Sequence, residues 1–290
     1  MPEPVLAVHA GAGPGPPDPA ARDEARAALV VALERGRAAL SCGGDALDAV
    51  QAAVAYMEDE VDFFNAGRGA VLCADGTTEL SAAIMRGDDR DAGAAALITR
   101  SRWPVAAARA VLEHSPHVLM SGPAADAFAA AHGVEQCDPS YFVTEHQRAG
   151  LAERGSDFVK GTVGAVCLDA SGGLAAATST GGRRGQMPGR VGDTPVIGAG
   201  TWADRGVAVS CTGDGEAFIR AAAAHQLATR VAAGQELGPA AEATLEDVRA
   251  VDGTGGLIAV DARGRVVLPF TSAAMNRGVW RLNAEPQAWA

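Results

Sequence analysis

The stretch that decides the fold is GTVGAVCLDASGGLAAATST, residues 161–180. An apolar run follows Gly161, an Asp-x-x-Gly turn begins at Asp169, and a second apolar run ends in a cluster of hydroxyl residues. Short apolar runs joined by such a turn predict a β-hairpin. A stretch of the same build, GGLIAVDARGRVVLPFT at residues 255–271, predicts a second hairpin.

Further strands and helices are predicted around these two hairpins from apolar periodicity and from glycine and proline breaks. The predicted strands cover residues 5–9, 70–73, 77–85, 92–99 and 206–212. The predicted helices cover residues 18–40, 45–58, 105–113, 123–132, 216–233 and 239–250. The loop from His9 to Gly13, which prolines follow, is predicted to be irregular. Clustered hairpins with helices on their outer faces predict an α+β sandwich of two sheets.

Composition and charge narrow the class of protein. The chain has 290 residues, 48% of them hydrophobic, and a net charge of −11, which argues against a nucleic-acid partner because such partners need a basic surface. Its five cysteines form no C-x-x-C pair and are expected to be reduced thiols. We find no signal peptide at the start and no apolar run long enough to span a membrane, so a cytoplasmic location is expected. The end of the polar stretch 134–160 is predicted to be a linker.

Thr162 follows this linker and is the first candidate for chemistry. A threonine hydroxyl needs a base, and none of the six histidines lies in a known nucleophile motif. A threonine at a chain N-terminus carries its own base, an α-amine with a pKa of about 7.7–8.0. Thr162 gains that amine if the bond after Gly161 is cut, and glycine tolerates the strained backbone that such a cut needs. The alternative interpretation is that Thr162 only begins a strand.

The other candidates surround this hairpin in the sequence. Thr180 ends the second strand, where antiparallel pairing could bring it beside Thr162, although threonine pairs are also common in ordinary sheets. Arg190 and Asp193 supply a guanidinium and a carboxylate that match the two charged ends of an α-amino acid, but they could equally form a surface ion pair. Thr212 and Gly213 lie between a strand and a helix, where they could form an oxyanion hole or a plain capped turn.

These segments, in this order, resemble the plant-type asparaginase and isoaspartyl peptidase family of N-terminal-nucleophile hydrolases. The matching stretches are GTVGAVCLD at 161–169, TSTGG at 178–182, GRVGDTP at 189–195 and TGDGE at 212–216. Supporting matches are HAGAG at 9–13, FNAGRG at 64–69, and GGLIAVD and LPF near the C-terminus. The resemblance therefore extends over nearly the whole chain.

The resemblance implies a single domain with a four-layer αββα sandwich. It implies cleavage into an α subunit, residues 1–161, and a β subunit, residues 162–290, assembled as a homodimer of αβ heterodimers. It further implies no organic cofactor, but the family often holds a structural sodium ion on main-chain carbonyl groups, here in the loop from Met57 to Arg68.

The resemblance also implies a role for each candidate residue. Thr162 is the nucleophile, cut free from Gly161, and Thr180 is its hydrogen-bonding helper. Arg190 holds the substrate α-carboxylate and Asp193 the α-amine. The oxyanion hole is formed by Thr212 and Gly213, and Gly215 and Asn65 lie near the site. The substrates implied are L-asparagine and β-aspartyl dipeptides.

Two departures from the family pattern bear on activity. Ala10 stands where the family usually has the first glycine of His-Gly-Gly-Ala-Gly, and SAAIMRG at 81–87 lacks two acidic residues of the usual motif. These departures, together with a short linker, are compatible with slow cleavage and motivate an alternative, an uncleaved and inactive amino-acid-binding homologue. A nucleotide-binding interpretation of residues 11–15 is weak, because proline occupies the last glycine position of the dinucleotide motif.

Overall fold

The computed structural model describes residues 2–13, 15, 18–60, 64–152 and 161–290. In chain order, the strands are β1 Val5–Gly13, β2 Leu80–Arg86, β3 Ala92–Ile98, β4 Leu119–Ser121, β5 Val163–Leu168, β6 Leu174–Thr180, β7 Thr201–Ala203, β8 Val207–Gly213, β9 Gly255–Asp261, β10 Val266–Val267, β11 Ala274–Arg281 and β12 Gln287–Trp289. The α-helices are α1 Pro19–Ser41, α2 Ala46–Asp59, α3 Pro104–His114, α4 Gly122–Ala131, α5 Glu145–Ala152, α6 Gly215–Ala221, α7 Ala223–Ala232 and α8 Leu237–Arg249. Two 3-10 helices cover Gly67–Gly69 and Pro139–Phe142.

These strands form two sheets, so the predicted α+β class with two sheets and helices is confirmed. The larger sheet has eight strands in the order β12-β11-β1-β5-β6-β2-β3-β4, and the smaller has four in the order β10-β9-β8-β7. All pairings are antiparallel apart from β3 with β4. The smaller sheet is built wholly from the second half of the chain, whereas the larger one draws on both halves.

The predicted hairpin at residues 161–180 is present as β5 and β6. One carboxylate oxygen of Asp169 accepts hydrogen bonds from the main-chain nitrogens of Ser171 and Gly173, both at 2.9 Å, and so fixes the turn. The other oxygen accepts from Ala46 N at 2.9 Å, at the start of α2. Asp45 caps that helix through a capping box with Asp48, which satisfies main-chain N–H groups that the first turn leaves free. The turn therefore ties the central hairpin to the helix that packs on it.

Three of the four apolar cores among the described residues hold the main helices and the two sheets together. The first contains residues of α1, α2 and α3 together with strand residues such as Val8 and Val163. The second contains residues of α6, α7 and α8 with β8 and β9. The third joins residues of the two sheets, including Val166 and Ile258. Burial of these side chains stabilises the fold at roughly 25 cal/mol per Å² of apolar surface.

The prediction of an irregular segment from His9 to Gly13 is wrong. The first strand continues to Gly13, pairing with β5 as far as Ala10↔Val163 and with β11 at Ala12↔Met275. The register with β11 shifts between His9 and Ala12, where Gly11 has a φ of +100°. The glycines that predicted a loop therefore form a β-bulge, and the strand continues through it.

Two further predictions are also wrong. Residues 70–73 form no strand, because their main-chain groups make isolated hydrogen bonds and no ladder with a partner strand. Val71 N, for example, donates to Asn65 Oδ1 at 2.9 Å. The strand β2 pairs with β3 and β6 instead. The predicted helix 216–233 is broken at Ala222, which has a φ of +46°. The break lets Ala224 N and His225 N donate to the carbonyl groups of Ala199 and Gly198.

Some predictions fall partly or wholly outside the described residues. The linker prediction concerns residues 153–160, which lie outside them, and residues 61–63 of the expected sodium loop do so as well. The remaining predicted helices and strands agree with the structure to within about three residues at their ends. Among the described helices, none is both long enough and apolar enough to cross a bilayer.

Candidate active site

Thr162 and Thr180 meet at one end of the central hairpin. Thr162 lies one residue before β5, and Thr180 is the last residue of β6, so the antiparallel register puts the two opposite each other. Thr162 Oγ1 donates to Thr180 Oγ1 at 3.0 Å, and Thr180 Oγ1 also accepts from Gly182 N at 3.0 Å. The hydroxyl of Thr162 is therefore held in one orientation by a neighbour that is itself fixed.

The carbonyl group of Gly161 is bound by Asn65. Its oxygen accepts from Asn65 N at 3.2 Å, while Asn65 O accepts from Gly181 N at 3.1 Å. The Asn65 side chain is 1% exposed and donates through Nδ2 to Gly182 O at 2.7 Å. Asn65 thereby links the residue before Thr162 to the residues that follow Thr180, and its main-chain N–H points at the carbonyl that precedes the candidate nucleophile.

Gly11 packs directly against Gly161. A Cβ atom placed on Gly11 would lie 2.2 Å from Gly161 Cα, and one on Gly161 would lie 2.1 Å from Gly11 Cα, so a side chain fits at neither position. Ala10, by contrast, is 1% exposed and belongs to the first apolar core. The methyl group found where the family usually has a glycine is thus accommodated in the core.

Thr212 and Gly213 end β8 on the other side of this glycine segment. Ala12 N donates to Thr212 Oγ1 at 3.3 Å, and Thr212 is 1% exposed. Gly213 has a φ of +144°, and a Cβ atom there would lie 2.4 Å from Thr254 O. The segment from Gly11 to Ala12 therefore contacts both Gly161 and Thr212.

Arg190 and Asp193 come together beside Gly215. A Cβ atom on Gly215 would lie 2.8 Å from Asp193 Oδ1 and 2.9 Å from Arg190 Nη2. Asp193 is 5% exposed, and burial raises the pKa of its carboxyl group to about 6, although the Arg190 charge opposes that rise. Among the described residues, its Oδ2 atom has no hydrogen-bond partner. A buried carboxylate with a free oxygen is suited to receive an ammonium group.

Glu216 is part of this charged group, a role that the sequence reasoning missed. Its carboxylate accepts from Arg190 Nε at 2.9 Å and Nη2 at 3.0 Å, and this bond holds its pKa at about 2. The remaining guanidinium nitrogen, Nη1, donates to Gln186 Oε1 at 3.3 Å. Glu216 ends the TGDGE stretch, in which the sequence predicts roles only for the threonine and the glycines. Its acidic charge beside these residues is the signal by which it could be found.

Gln186 connects the charged residues to the hydroxyl residues. Its Oε1 atom accepts from Arg183 N at 2.9 Å as well as from Arg190 Nη1, next to the TSTGG segment. The structure thus brings together all the residues that the sequence singled out, in one continuous set of contacts from Asn65 to Gly215. Their chemical roles stay predictions.

The expected sodium loop brings main-chain carbonyl groups close to two glycines. The carbonyl oxygen of Glu58 would lie 2.2 Å from a Cβ atom on Gly67, and those of Phe64 and Glu60 would lie 2.1 and 2.9 Å from one on Gly69. These oxygens therefore pack tightly against the two glycines, and main-chain oxygens are ligands of the kind that a hard cation takes. The described residues contain no group of three or more His, Cys, Asp or Glu side chains arranged to hold a metal ion.

Comparison with known proteins identifies the family. The family model described as "Asparaginase" matches residues 2–159 and 151–288. The isoaspartyl peptidase of Escherichia coli (strain K12) is 44% identical over 297 residues, covering 94% of this chain and 91% of that protein. The human isoaspartyl peptidase/L-asparaginase is 40% identical over 283 residues, with 94% and 91% covered. The chain belongs to the asparaginase family, and the resemblance drawn from its motifs is confirmed.

Proposed function

We propose that the protein is an amidohydrolase that cuts its own chain between Gly161 and Thr162 and then releases L-aspartate from L-asparagine, β-aspartyl dipeptides or both. The observation that carries this proposal is the pair of hydrogen bonds that hold the Thr162 hydroxyl and the carbonyl group before it. Its hydroxyl donates to Thr180 at 3.0 Å, while the preceding carbonyl accepts from Asn65 N at 3.2 Å. The names of the relatives, isoaspartyl peptidase and L-asparaginase, support the same reaction.

Self-cleavage uses the same hydroxyl as later turnover. Thr162 Oγ1 attacks the carbonyl carbon of Gly161, and Asn65 N–H stabilises the charge that develops on the oxygen. The bond from that carbon to the nitrogen of Thr162 breaks, and the nitrogen takes up the proton that the attacking hydroxyl releases. Water then hydrolyses the ester between Gly161 and the Thr162 side chain. The products are chains of residues 1–161 and 162–290, the second beginning with a free α-amine.

Turnover repeats this chemistry on an external substrate. The α-amine of Thr162 takes the proton of its own hydroxyl, which attacks the side-chain carbonyl of the substrate. Thr212 Oγ1 and Gly213 N–H would stabilise the oxyanion. Ammonia or an amino acid leaves with the proton, and water then hydrolyses the acyl-threonine to release aspartate.

Arg190 and Asp193 would select substrates with a free α-carboxylate and α-amine. Glu216 and Gln186 together engage three of the five N–H groups of Arg190, which leaves one on Nη1 and one on Nη2 for the substrate carboxylate. The free Oδ2 atom of Asp193 would accept from the substrate ammonium. Gly215 carries no side chain, and a Cβ atom there would lie 2.8 Å from Asp193 Oδ1, so the glycine lets both charged groups lie directly against the start of α6.

The finer architecture is also part of the proposal. We expect a single domain with four layers, α–β–β–α, which the three apolar cores support. A sodium ion would bind main-chain carbonyl groups of the loop from Met57 to Arg68, and its charge would help to fix the loop that presents Asn65. No organic cofactor is needed. The cleaved protein is expected to be a cytoplasmic homodimer of αβ heterodimers.

A denaturing gel of the purified protein, read alongside activity, tests the proposal. We expect two bands, a β chain whose first residue is Thr162, and release of aspartate from L-asparagine or a β-aspartyl dipeptide. A single full-length band without activity would refute it. Aspartate binding by calorimetry in such a preparation would instead support the alternative of an inactive amino-acid-binding homologue, which no observation favours at present.

A further inference from the structure

A chain of buried polar side chains runs between the two sheets, close to Thr162. Thr201 Oγ1 on β7 donates to Thr178 Oγ1 on β6 at 2.7 Å, and Thr178 Oγ1 lies 2.7 Å from Ser210 Oγ on β8. Ser210 Oγ lies 2.8 Å from His9 Nε2 on β1. We call these four residues the hydroxyl chain. None of them belongs to the machinery proposed above.

The hydroxyl chain is completely buried and needs a gap in the sheet. All four residues are 0% exposed. Gly164 on β5 provides the gap, because a Cβ atom there would lie 2.0 Å from Ser210 Oγ and 2.4 Å from His9 Nε2. Burying a polar group raises the free energy of the folded protein unless the group is hydrogen-bonded. A continuous set of buried polar groups that bond to one another therefore indicates that their arrangement is specific.

The hydrogen bonds have one consistent direction. Thr201 Oγ1 donates to Thr178 Oγ1 at 2.7 Å, a shorter contact than its 3.2 Å to Thr194 O. The hydrogen of Thr178 is then assigned to Ser210 Oγ at 2.7 Å, because its contact with Gly200 O is 3.4 Å. The hydrogen of Ser210 then goes to His9 Nε2. Burial lowers the pKa of His9 to about 3, so the ring is neutral and carries its one hydrogen on Nδ1.

The His9 ring lies against the strand that begins one residue after Thr162. His9 pairs with Gly164 on β5, and a Cβ atom on Gly164 would lie 2.4 Å from His9 Nε2. The main chain of Thr162 also acts on the ring, since it raises the pKa of His9 against the larger lowering by burial, and Nδ1 has no other hydrogen-bond partner among the described residues. His9 therefore connects the three hydroxyl groups of the hydroxyl chain to the strand of the candidate nucleophile.

We propose that Thr178, Thr201 and Ser210 are positioning residues that, through the ring of His9, hold the main chain of Thr162 in place for reaction. This inference rests on the proposed function of Thr162. Cleavage at Gly161 removes the covalent tether on one side of Thr162, so its position then depends on the sheet and on contacts of this kind. A shift of about 1 Å in a reacting group can lower a rate by about 100-fold.

Two substitutions at Thr178 separate hydrogen bonding from packing. Thr178→Val keeps the shape and removes the hydroxyl, whereas Thr178→Ser keeps the hydroxyl and removes a methyl group. Ser179→Ala is the matched control, because it deletes the next buried hydroxyl of the same strand, one that interacts with Glu58 and not with the hydroxyl chain. Self-cleavage is followed on denaturing gels, and kcat and KM are normalised to the amount of N-terminal Thr162.

We expect Thr178→Val to lower kcat and the cleavage rate by about tenfold or more with KM within about twofold, while Thr178→Ser and Ser179→Ala stay within about threefold of wild type. Equal effects of valine and serine, or a change in KM alone, would overturn the inference. Failure of the proposed function looks different, because the wild-type protein itself would then be uncut and inactive.

A spectroscopic measurement tests the hydroxyl chain even if Thr178→Val fails to fold. Nitrogen-15 NMR of histidine-labelled wild-type protein, with His9 assigned from a His9→Asn variant, reports which ring nitrogen carries the hydrogen. We expect a neutral ring protonated at Nδ1 between pH 5 and pH 8. Protonation at Nε2, or a charged ring in this range, would contradict the proposed direction of the hydroxyl chain.

Discussion

The two halves of the candidate site differ in how they are built. The nucleophile region, Thr162 with Thr180 and Asn65, consists of uncharged groups fixed by strands and main-chain hydrogen bonds. The substrate-binding region, Arg190 with Asp193 and Glu216, consists of charged groups on a loop and at the start of a helix. The difference suggests a division of labour, in which the first region determines the rates of cleavage and turnover and the second determines substrate affinity.

The sharpest test of this division is removal of the nucleophile. Thr162→Ala is expected to abolish self-cleavage and to lower turnover by about 10⁴-fold or more, because no other group can form the acyl intermediate. Substrate binding, measured by calorimetry, should change little. Thr162→Ser is the control, since it keeps the hydroxyl and should still cleave. Retained turnover in the alanine variant would show that the nucleophile lies elsewhere.

A smaller effect is expected from the charged region. Arg190→Lys keeps the positive charge but loses the planar fork, so KM for L-asparagine should rise by about 10- to 100-fold. Cleavage between Gly161 and Thr162 should proceed at the wild-type rate, because it involves no substrate carboxylate. Slow cleavage in this variant, seen on a denaturing gel, would mean that the two regions are not independent.

The dependence of kcat/KM on pH should separate the two regions again. The α-amine of Thr162 must be neutral, which predicts a tenfold loss per pH unit below about 7.7. Asp193, whose pKa burial raises to about 6, must be ionised to bind an ammonium group, so the loss should steepen below pH 6. Asp193→Asn should bind substrate weakly throughout and show no second bend. A single bend in the wild-type profile would remove Asp193 from this role.

The smallest effect is expected at the departure from the family's glycine loop. The side chain of Ala10 lies in the first apolar core, so Ala10→Gly should lower the free energy of unfolding by about 1 kcal/mol and alter the cleavage rate by less than about threefold. Urea unfolding and a gel time course measure the two quantities. Gly11→Ala is the contrasting variant, because its Cβ atom would meet Gly161 Cα. A large gain in cleavage from Ala10→Gly would show that this methyl group does restrain activation.

The sequence predicted those parts of the site that depend on local pattern. The hairpin at residues 161–180 follows from two apolar runs and an Asp-x-x-Gly turn, and antiparallel pairing then places Thr180 beside Thr162. The bidentate bond between Glu216 and Arg190 was not predictable, because it joins residues 26 positions apart in geometry set by the whole fold.

Tertiary contacts also explain where the predicted elements failed. The helix breaks at Ala222 so that the residues after it can form hydrogen bonds with the carbonyl groups of Gly198 and Ala199. The apolar periodicity of the segment gives no sign of these bonds. The strand end at Gly13 depends on pairing with Met275 and Ala274, far away in the sequence. The hydroxyl chain was missed for the same reason, since its four members come from four separate strands.

The strand order of the larger sheet has a consequence for making this protein. Strands from residues 1–161 and from residues 162–290 are interleaved, with β1 between β11 and β5, and with β6 paired to β2. If the chain is cleaved after Gly161, the two pieces therefore cannot dissociate unless strand pairs of the larger sheet are broken. The same interleaving makes the molecule suited to fragment complementation: the two pieces, produced from separate genes in one cell, are expected to co-fold, with the new N-terminus supplied ready-made.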